Sequence, residues 1–232
     1  MNSIIASTST IHGSGYLEYL RPTLASHFNH VDEILFIPYA RPSGLTHDEY
    51  TVKAKEGLGY LNVNVKGIHE FESPDEAVKS AKAIFVGGGN TFLLVKMLYD
   101  LNLIEVLRQR IIEGIPYLGT SAGSNICGPN MQTTNDMPIV MPMSFDTLCI
   151  IPFNINAHYI EPDPNSTHNG ETRRTRIKEF QVHNKIDVLG LKEGSWLEAK
   201  AGKIRLKGKL DAVWFEPGKE PEIINPETIL FC

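Results

Sequence analysis

Ser121 sits at the centre of Gly119-Thr120-Ser121-Ala122-Gly123, directly behind the apolar run at residues 115–118. A G-x-S-x-G turn after a strand fits the nucleophile elbow. The sharp strand-to-helix turn strains the serine backbone and lifts its hydroxyl above the sheet, and small neighbours let a substrate carbonyl come close. The amide of Ala122, at the start of the next helix, is then placed to donate to a developing oxyanion. The same five residues also suit a tight turn with no chemistry, so the partners of Ser121 decide between the two readings.

A serine hydroxyl needs a base, usually histidine, and the base needs an orienting carboxylate. Of the eight histidines, His12, His27, His30, His47, His69, His168 and His183 lie in or beside polar, loop-like or helical segments, and most are assigned to solvated surface. His158 differs, because it follows an apolar run at residues 151–155 in Asn154-Ile155-Asn156-Ala157-His158. In open parallel sheets ligands bind past the carboxyl ends of strands. Two carboxylates could orient it: Glu193, past the strand at 187–191, and Asp136, soon after the elbow in Asn135-Asp136-Met137-Pro138. Each also suits a plain turn, and both stay open.

Gly87-Gly88-Gly89-Asn90 joins a strand to a helix. It does not fit G-x-G-x-x-G, and no G-K-[ST] follows. It suits an oxyanion loop whose amides at Gly88 and Gly89 approach the substrate oxygen, or a tight turn needing unusual dihedrals. There is no H-E-x-x-H, no C-x-x-C and no dense His/Asp/Glu cluster, so neither metal nor cofactor is expected. Arg173, Arg174, Arg176 and Lys178 read as a solvated helix face from which one arginine could hold an acidic substrate.

These residues must be positioned by alternating strands and helices. Strands are expected at residues 4–7, 33–39, 63–68, 83–86 and 115–118, with helices at 15–28, 47–61, 74–82 and 91–113, the last broken near Asn102. Ser73-Pro74-Asp75-Glu76 looks like a capping box. This alternation predicts a mostly parallel, doubly wound α/β sheet with helices on both faces. Beyond residue 128 a strand at 154–159, a charged helix at 169–183 and an apolar run at 187–191 follow. Runs at 195–200, 204–207 and 212–216 then suggest a C-terminal antiparallel meander closing the sheet edge.

At 232 residues the chain suits one α/β domain over 1–232. A net charge of -5 counts against nucleic acid or an acidic membrane surface as partner. The N-terminus reads as a first strand, and no run is long and apolar enough to span a membrane. Cys127, Cys149 and Cys232 are odd in number and scattered, which suits free thiols in a reducing cytoplasm.

Taken in order, the segments at 87–92 (Gly-Gly-Gly-Asn-Thr-Phe), 119–123, 133–140 (Thr-Thr-Asn-Asp-Met-Pro-Ile-Val), 155–158, 170–173 (Gly-Glu-Thr-Arg) and 193–196 (Glu-Gly-Ser-Trp) resemble the peptidase E, or α-aspartyl dipeptidase, family of serine peptidases. The likeness runs from the first strand to about Trp214. It implies a fold related to class I glutamine amidotransferases, with serine in place of the nucleophilic cysteine, and hydrolysis of dipeptides with an N-terminal aspartate. Carried over by motif, Ser121 is the nucleophile and His158 the general base. The third member is Asp136 or Glu193, with a slight preference for Asp136. An aspartyl substrate needs a cation, for which Arg173 is the first candidate and Arg176 the second. It also needs an acceptor for the free ammonium, Glu171 or an unused site carboxylate, and Asn90 is a further substrate-binding candidate. Thr120, Ser124 and Ala157 depart from the usual pattern without removing a catalytic group. The rivals are a cyanophycinase-like or isoaspartyl peptidase and a noncatalytic binding member of the same superfamily. A monomer and a homodimer are both compatible with the sequence.

Overall fold

The first strand, β1 (Asn2–Ala6), alternates by face: Ile4 and Ala6 are buried on one side of the sheet and Ile5 on the other. Burial on both sides marks a central strand with layers above and below it. The same holds for β2 (Glu33–Ile37), β4 (Ile84–Val86) and β5 (Pro116–Thr120). With β3 (Asn64–Gly67) these strands run parallel in the order β1-β5-β4-β2-β3. The computed structural model describes residues 1–163, 165, 167 and 170–231.

Helices cover both faces. Leu24 of α1 (Arg21–His27) and Tyr50, Ala54 and Leu58 of α2 (His47–Leu58) pack on Ile4, Phe36, Phe85 and Leu118. On the other side lie α3 (Pro74–Ser80), α4 (Thr91–Asp100) and α5 (Ile104–Glu113). They bury Val78, Leu94, Leu98, Leu107 and Ile111 against Ile5, Ile37, Val86 and Tyr117. Each such side chain contributes about 1.5–3 kcal/mol when removed from water. The break between α4 and α5 falls where expected, at Asn102, whose φ of 55° no helix continues.

After the short α6 (Ala122–Asn125) the chain builds β6 (Asn154–Ala157), α7 (Arg173–His183) and β7 (Val188–Leu191). Next, β8 (Ser195–Lys200) returns antiparallel beside β1, and β9 (Lys203–Gly208) pairs with it. Here the meander divides. β10 (Ala212–Phe215) leaves for a second sheet ordered β11-β10-β7-β6, with β11 (Glu222–Ile224), while β12 (Ile229–Phe231) comes back to pair with β9. The reason is visible in β10: Ala212, Val213 and Phe215 are all buried, which calls for partners that the outer edge of the large sheet does not supply.

Two local expectations are corrected. The helix at 15–28 is a single 3-10 turn at Glu18–Leu20 followed by α1, which starts late because Pro22 belongs in a first turn. No capping box forms at α3: Ser73 Oγ donates to Asp75 (2.6 Å) and Glu76 pairs with Lys79. A capping box forms at α2 instead, between Thr46 and Glu49. Asn169, the expected start of α7, lies outside the described residues, as do His168 and Cys232; the described helix begins after the Thr172 cap.

Among the described residues no helix is long and apolar enough to cross a membrane. None of these residues form a group of three or more His, Cys, Asp or Glu that could hold a metal ion.

Candidate active site

Ser121 links β5 to α6 with φ 54° and ψ -110°, a backbone state that costs a non-glycine residue about 1–3 kcal/mol and persists only where the surroundings enforce it. They do so here. The Ser121 amide donates to the Ala6 carbonyl (3.1 Å), and Ser124 Oγ donates to Ala6 (2.6 Å) and Gly119 (2.9 Å). A Cβ on Gly119 would strike the Gly123 carbonyl, and one on Gly123 the Val86 carbonyl, so the motif glycines are required by packing.

His158 follows β6 with φ 56°, in the left-handed region. Its amide donates to Ser7 Oγ (2.9 Å), and that hydroxyl donates to the Leu191 carbonyl (2.7 Å). One buried serine at the end of β1 thus ties the small sheet to the large one beside the elbow. Nε2 of the imidazole lies 2.9 Å from Ser121 Oγ, and Nδ1 lies 2.6 Å from Glu193 Oε1. In the Nδ1–H tautomer the ring donates to Glu193 and accepts the Ser121 hydroxyl proton. The His158 and Glu193 side chains are 34% and 52% exposed, so water reaches the relay and screens the charge of Glu193.

Asp136 is not at the imidazole. Its Oδ2 accepts from the Thr91 amide (2.7 Å), Thr91 Oγ1 (2.6 Å) and Thr134 Oγ1 (2.9 Å), closing the N-terminus of α4, where unpaired amides and the helix dipole favour a carboxylate. The geometry therefore brings Glu193, and not Asp136, to His158. Asn90 also acts as a cap. Its Oδ1 accepts from Leu93 N (3.0 Å) and its Nδ2 donates to the Met137 carbonyl (2.9 Å), so both ends of the amide are engaged rather than free for a substrate.

The glycine loop abuts the serine: a Cβ on Gly88 would lie 2.9 Å from Ser121 Cβ. Gly89, at φ 146°, leaves no room for a Cβ against the Ala40 carbonyl. Tyr50 Oη anchors the loop by donating to Gly88 O (3.1 Å). The amides of Gly88, Gly89 and Ala122 have no hydrogen-bond partner among the described residues. Because α6 spans only four residues, any oxyanion stabilisation there comes from amide position more than from a long dipole.

Arg173 opens α7 near the relay. Burial lowers its pKa, the charge of Glu193 raises it and Arg176 lowers it, and its Nη1 is enclosed without a partner among the described residues. Arg176 and Glu171 are brought to each other instead (3.7 Å), both well exposed. Arg174 pairs with Glu161 (3.1 Å). His27, assigned to the surface, is half-buried and donates Nε2–H to Tyr117 O (3.1 Å); burial holds its pKa down at about 4. Two supporting residues escaped the sequence reading. Ser7 was one, although its place at a strand end was a usable signal. The other is Asn125, whose amide bonds Thr91, Thr134 and Ala157 N and so joins α6, the Asp136 loop and the end of β6.

A parallel sheet whose strand ends carry a strained serine, an imidazole and a carboxylate in hydrogen-bond sequence defines a serine hydrolase. Residues 3–207 match the model of peptidase family S51, and the chain belongs to that family. It is 45% identical over 221 residues to the protein named "Peptidase E" of Streptomyces coelicolor, covering 95% of this chain and 90% of that one. It is 40% identical over 228 residues to the "Probable alpha-aspartyl dipeptidase" of Drosophila melanogaster, covering 97% and 94%. The crystal structure of a peptidase from an acI-B1 Actinobacterium shares the fold, with a TM-score of 0.68 at 16% identity over 100% of this chain and 96% of that one.

Proposed function

We propose that this chain hydrolyses dipeptides with an N-terminal aspartate through an acyl-enzyme on Ser121. The observation that carries this reading is the unbroken line from Ser121 Oγ through His158 to Glu193, set against glycine-loop amides that have no partner among the described residues. Ser121 Oγ attacks the aspartyl carbonyl carbon while His158 Nε2 takes its proton, and Glu193 steadies the imidazolium. The carbonyl oxygen, now anionic, accepts from Ala122 N–H and from Gly88 or Gly89 N–H. His158 then protonates the departing amine. Water, deprotonated by the same nitrogen, attacks the ester and releases aspartate.

Arg173 is the cation for the aspartyl side chain, supported by its place beside Glu193 and its enclosed, unpartnered nitrogen. Arg176, paired with Glu171, is the weaker candidate. That pairing also favours Asp136, beside the glycine loop, over Glu171 as acceptor of the substrate ammonium. The ligand is a small dipeptide and the setting cytoplasmic, in keeping with the unpaired thiols of Cys127 and Cys149.

The test is hydrolysis of α-Asp-Leu, β-Asp-Leu and Asn-Leu by wild type and Ser121→Ala. The α-aspartyl substrate alone is cleaved by wild type, and the variant loses about 10⁴-fold or more. Preference for β-Asp-Leu would move the reading to an isoaspartyl peptidase. Activity retained by Ser121→Ala would remove it.

A further inference from the structure

We infer that Arg41 reads the free C-terminal carboxylate of the dipeptide and so makes the enzyme specific for two residues; the inference rests on the Asp-X reading above. The chain contains eight arginines. Six form ion pairs with Glu18, Glu105, Glu113, Glu161, Glu171 and Glu227. Among the described residues only Arg41 and Arg173 lack a carboxylate partner; Arg173 feels the charge of Glu193, and Arg41 follows Ala40, which packs on the glycine loop.

Arg41 connects to the serine through packed residues. Ala40, its neighbour just past the end of β2, accepts the Asn90 amide (2.7 Å) and packs against Gly89. The Arg41 guanidinium lies over the Tyr50 ring, 4.7 Å from its centroid. Tyr50 is fully buried and its hydroxyl holds Gly88 O, and Gly88 touches Ser121. Guanidinium, ring and glycine loop are thus linked by successive contacts that end at the serine. Nε of Arg41 is enclosed with no acceptor, so the charge is held half out of water with nothing in the described residues to balance it. A charge kept in that state beside a reactive serine suits an anionic ligand.

An Asp-X dipeptide carries two carboxylates, and two uncompensated guanidiniums flank the serine, Arg173 on the Glu193 side and Arg41 on the Gly88 side. Their neighbours differ. Arg173 lies beside Glu193 with its Nη1 enclosed, and Arg41 lies on the side of the glycine loop with its Nε enclosed. Arg173 is assigned to the side chain of the specificity residue. Arg41 is assigned to the terminus, the point at which a longer peptide would present an uncharged amide. Carboxylate against the fork of Arg41 makes charge-assisted, paired hydrogen bonds that an amide cannot replace.

The experiment measures kcat and KM for α-Asp-Leu, α-Asp-Leu amide and Asn-Leu with wild type, Arg41→Gln and Arg41→Lys. Wild type prefers the free acid to the amide. Arg41→Gln raises KM for α-Asp-Leu by about 10- to 100-fold and collapses the preference for acid over amide. Arg41→Lys, keeping the charge but not the fork, falls between. If circular dichroism shows Arg41→Gln unfolded, the lysine variant alone carries the comparison. A preference unchanged in both variants overturns the inference while leaving the Asp-X reading intact. Loss of the preference for Asp-Leu over Asn-Leu in its place overturns the assignment to the terminus. Failure of wild type to cleave any Asp-X substrate overturns the reading and the inference together.

Discussion

Single side chains separate the two carboxylates that the sequence left open. Glu193→Gln keeps the size of the group but removes the charge that holds the imidazolium, and its amide can favour the wrong tautomer of His158. The expected loss in kcat is about 10²–10⁴-fold with little change in melting temperature. Asp136→Asn acts on the α4 cap and on the substrate ammonium: it weakens three hydrogen bonds, should lower stability by about 1 kcal/mol, read as a fall in melting temperature, and raises KM while kcat holds. The reverse pattern, Glu193→Gln altering stability and Asp136→Asn altering only kcat, would return the orienting role to Asp136. Gly88→Ala forces a methyl against Ser121 Cβ, so activity should fall sharply while circular dichroism stays native. The sequence singles out Ser121 by its motif and His158 by its place at a strand end, and the structure sets them 2.9 Å apart. Glu193 was not separable from Asp136, since which turn faces the imidazole depends on how two sheets meet.

At the level of elements, the site depends on joints between strand ends. Ser7→Ala leaves the His158 amide and the Leu191 carbonyl without their shared hydroxyl, in a region closed to water. The expected cost is about 1–3 kcal/mol in urea unfolding, and a lower kcat because His158 loses its anchor. His27 gives α1 a pH dependence. In the folded chain it stays neutral down to about pH 4, while the unfolded chain protonates near 6.5. The unfolded state therefore binds the proton first, and stability falls as pH drops from 6.5 to about 4, levelling off below. Removing the imidazole in His27→Gln should flatten that part of the profile, measured by urea unfolding across the window. Most elements were legible because their hydrophobic period is clean, the break at Asn102 included. The failed capping box at Ser73 was not legible, because a nearby Asp75 competes for the same hydroxyl.

Across the whole molecule the two sheets share one core layer: Leu189, Leu191, Ile155 and Ala157 of the small sheet pack with Ile5, Val86 and Tyr117 of the large one. β12 lies beyond the segment matched to the family, yet Phe231 stacks on Phe153, 5.6 Å between centroids, and meets Trp214. Phe231→Ala should lower the melting temperature while kcat holds, because the aromatic cluster sits behind the site and touches none of its reacting groups. By itself the sequence determined the strand–helix alternation, the serine elbow, the strand-end histidine and the glycine loop, because each is written in residues that are neighbours along the chain. It could not determine that β10 crosses to a second sheet, that Glu193 rather than Asp136 meets the imidazole, or that Arg41 stands beside the glycine loop with no carboxylate partner among the described residues. Those outcomes depend on which strand ends the packed core draws together, and residues far apart in the chain meet there only once the core has closed.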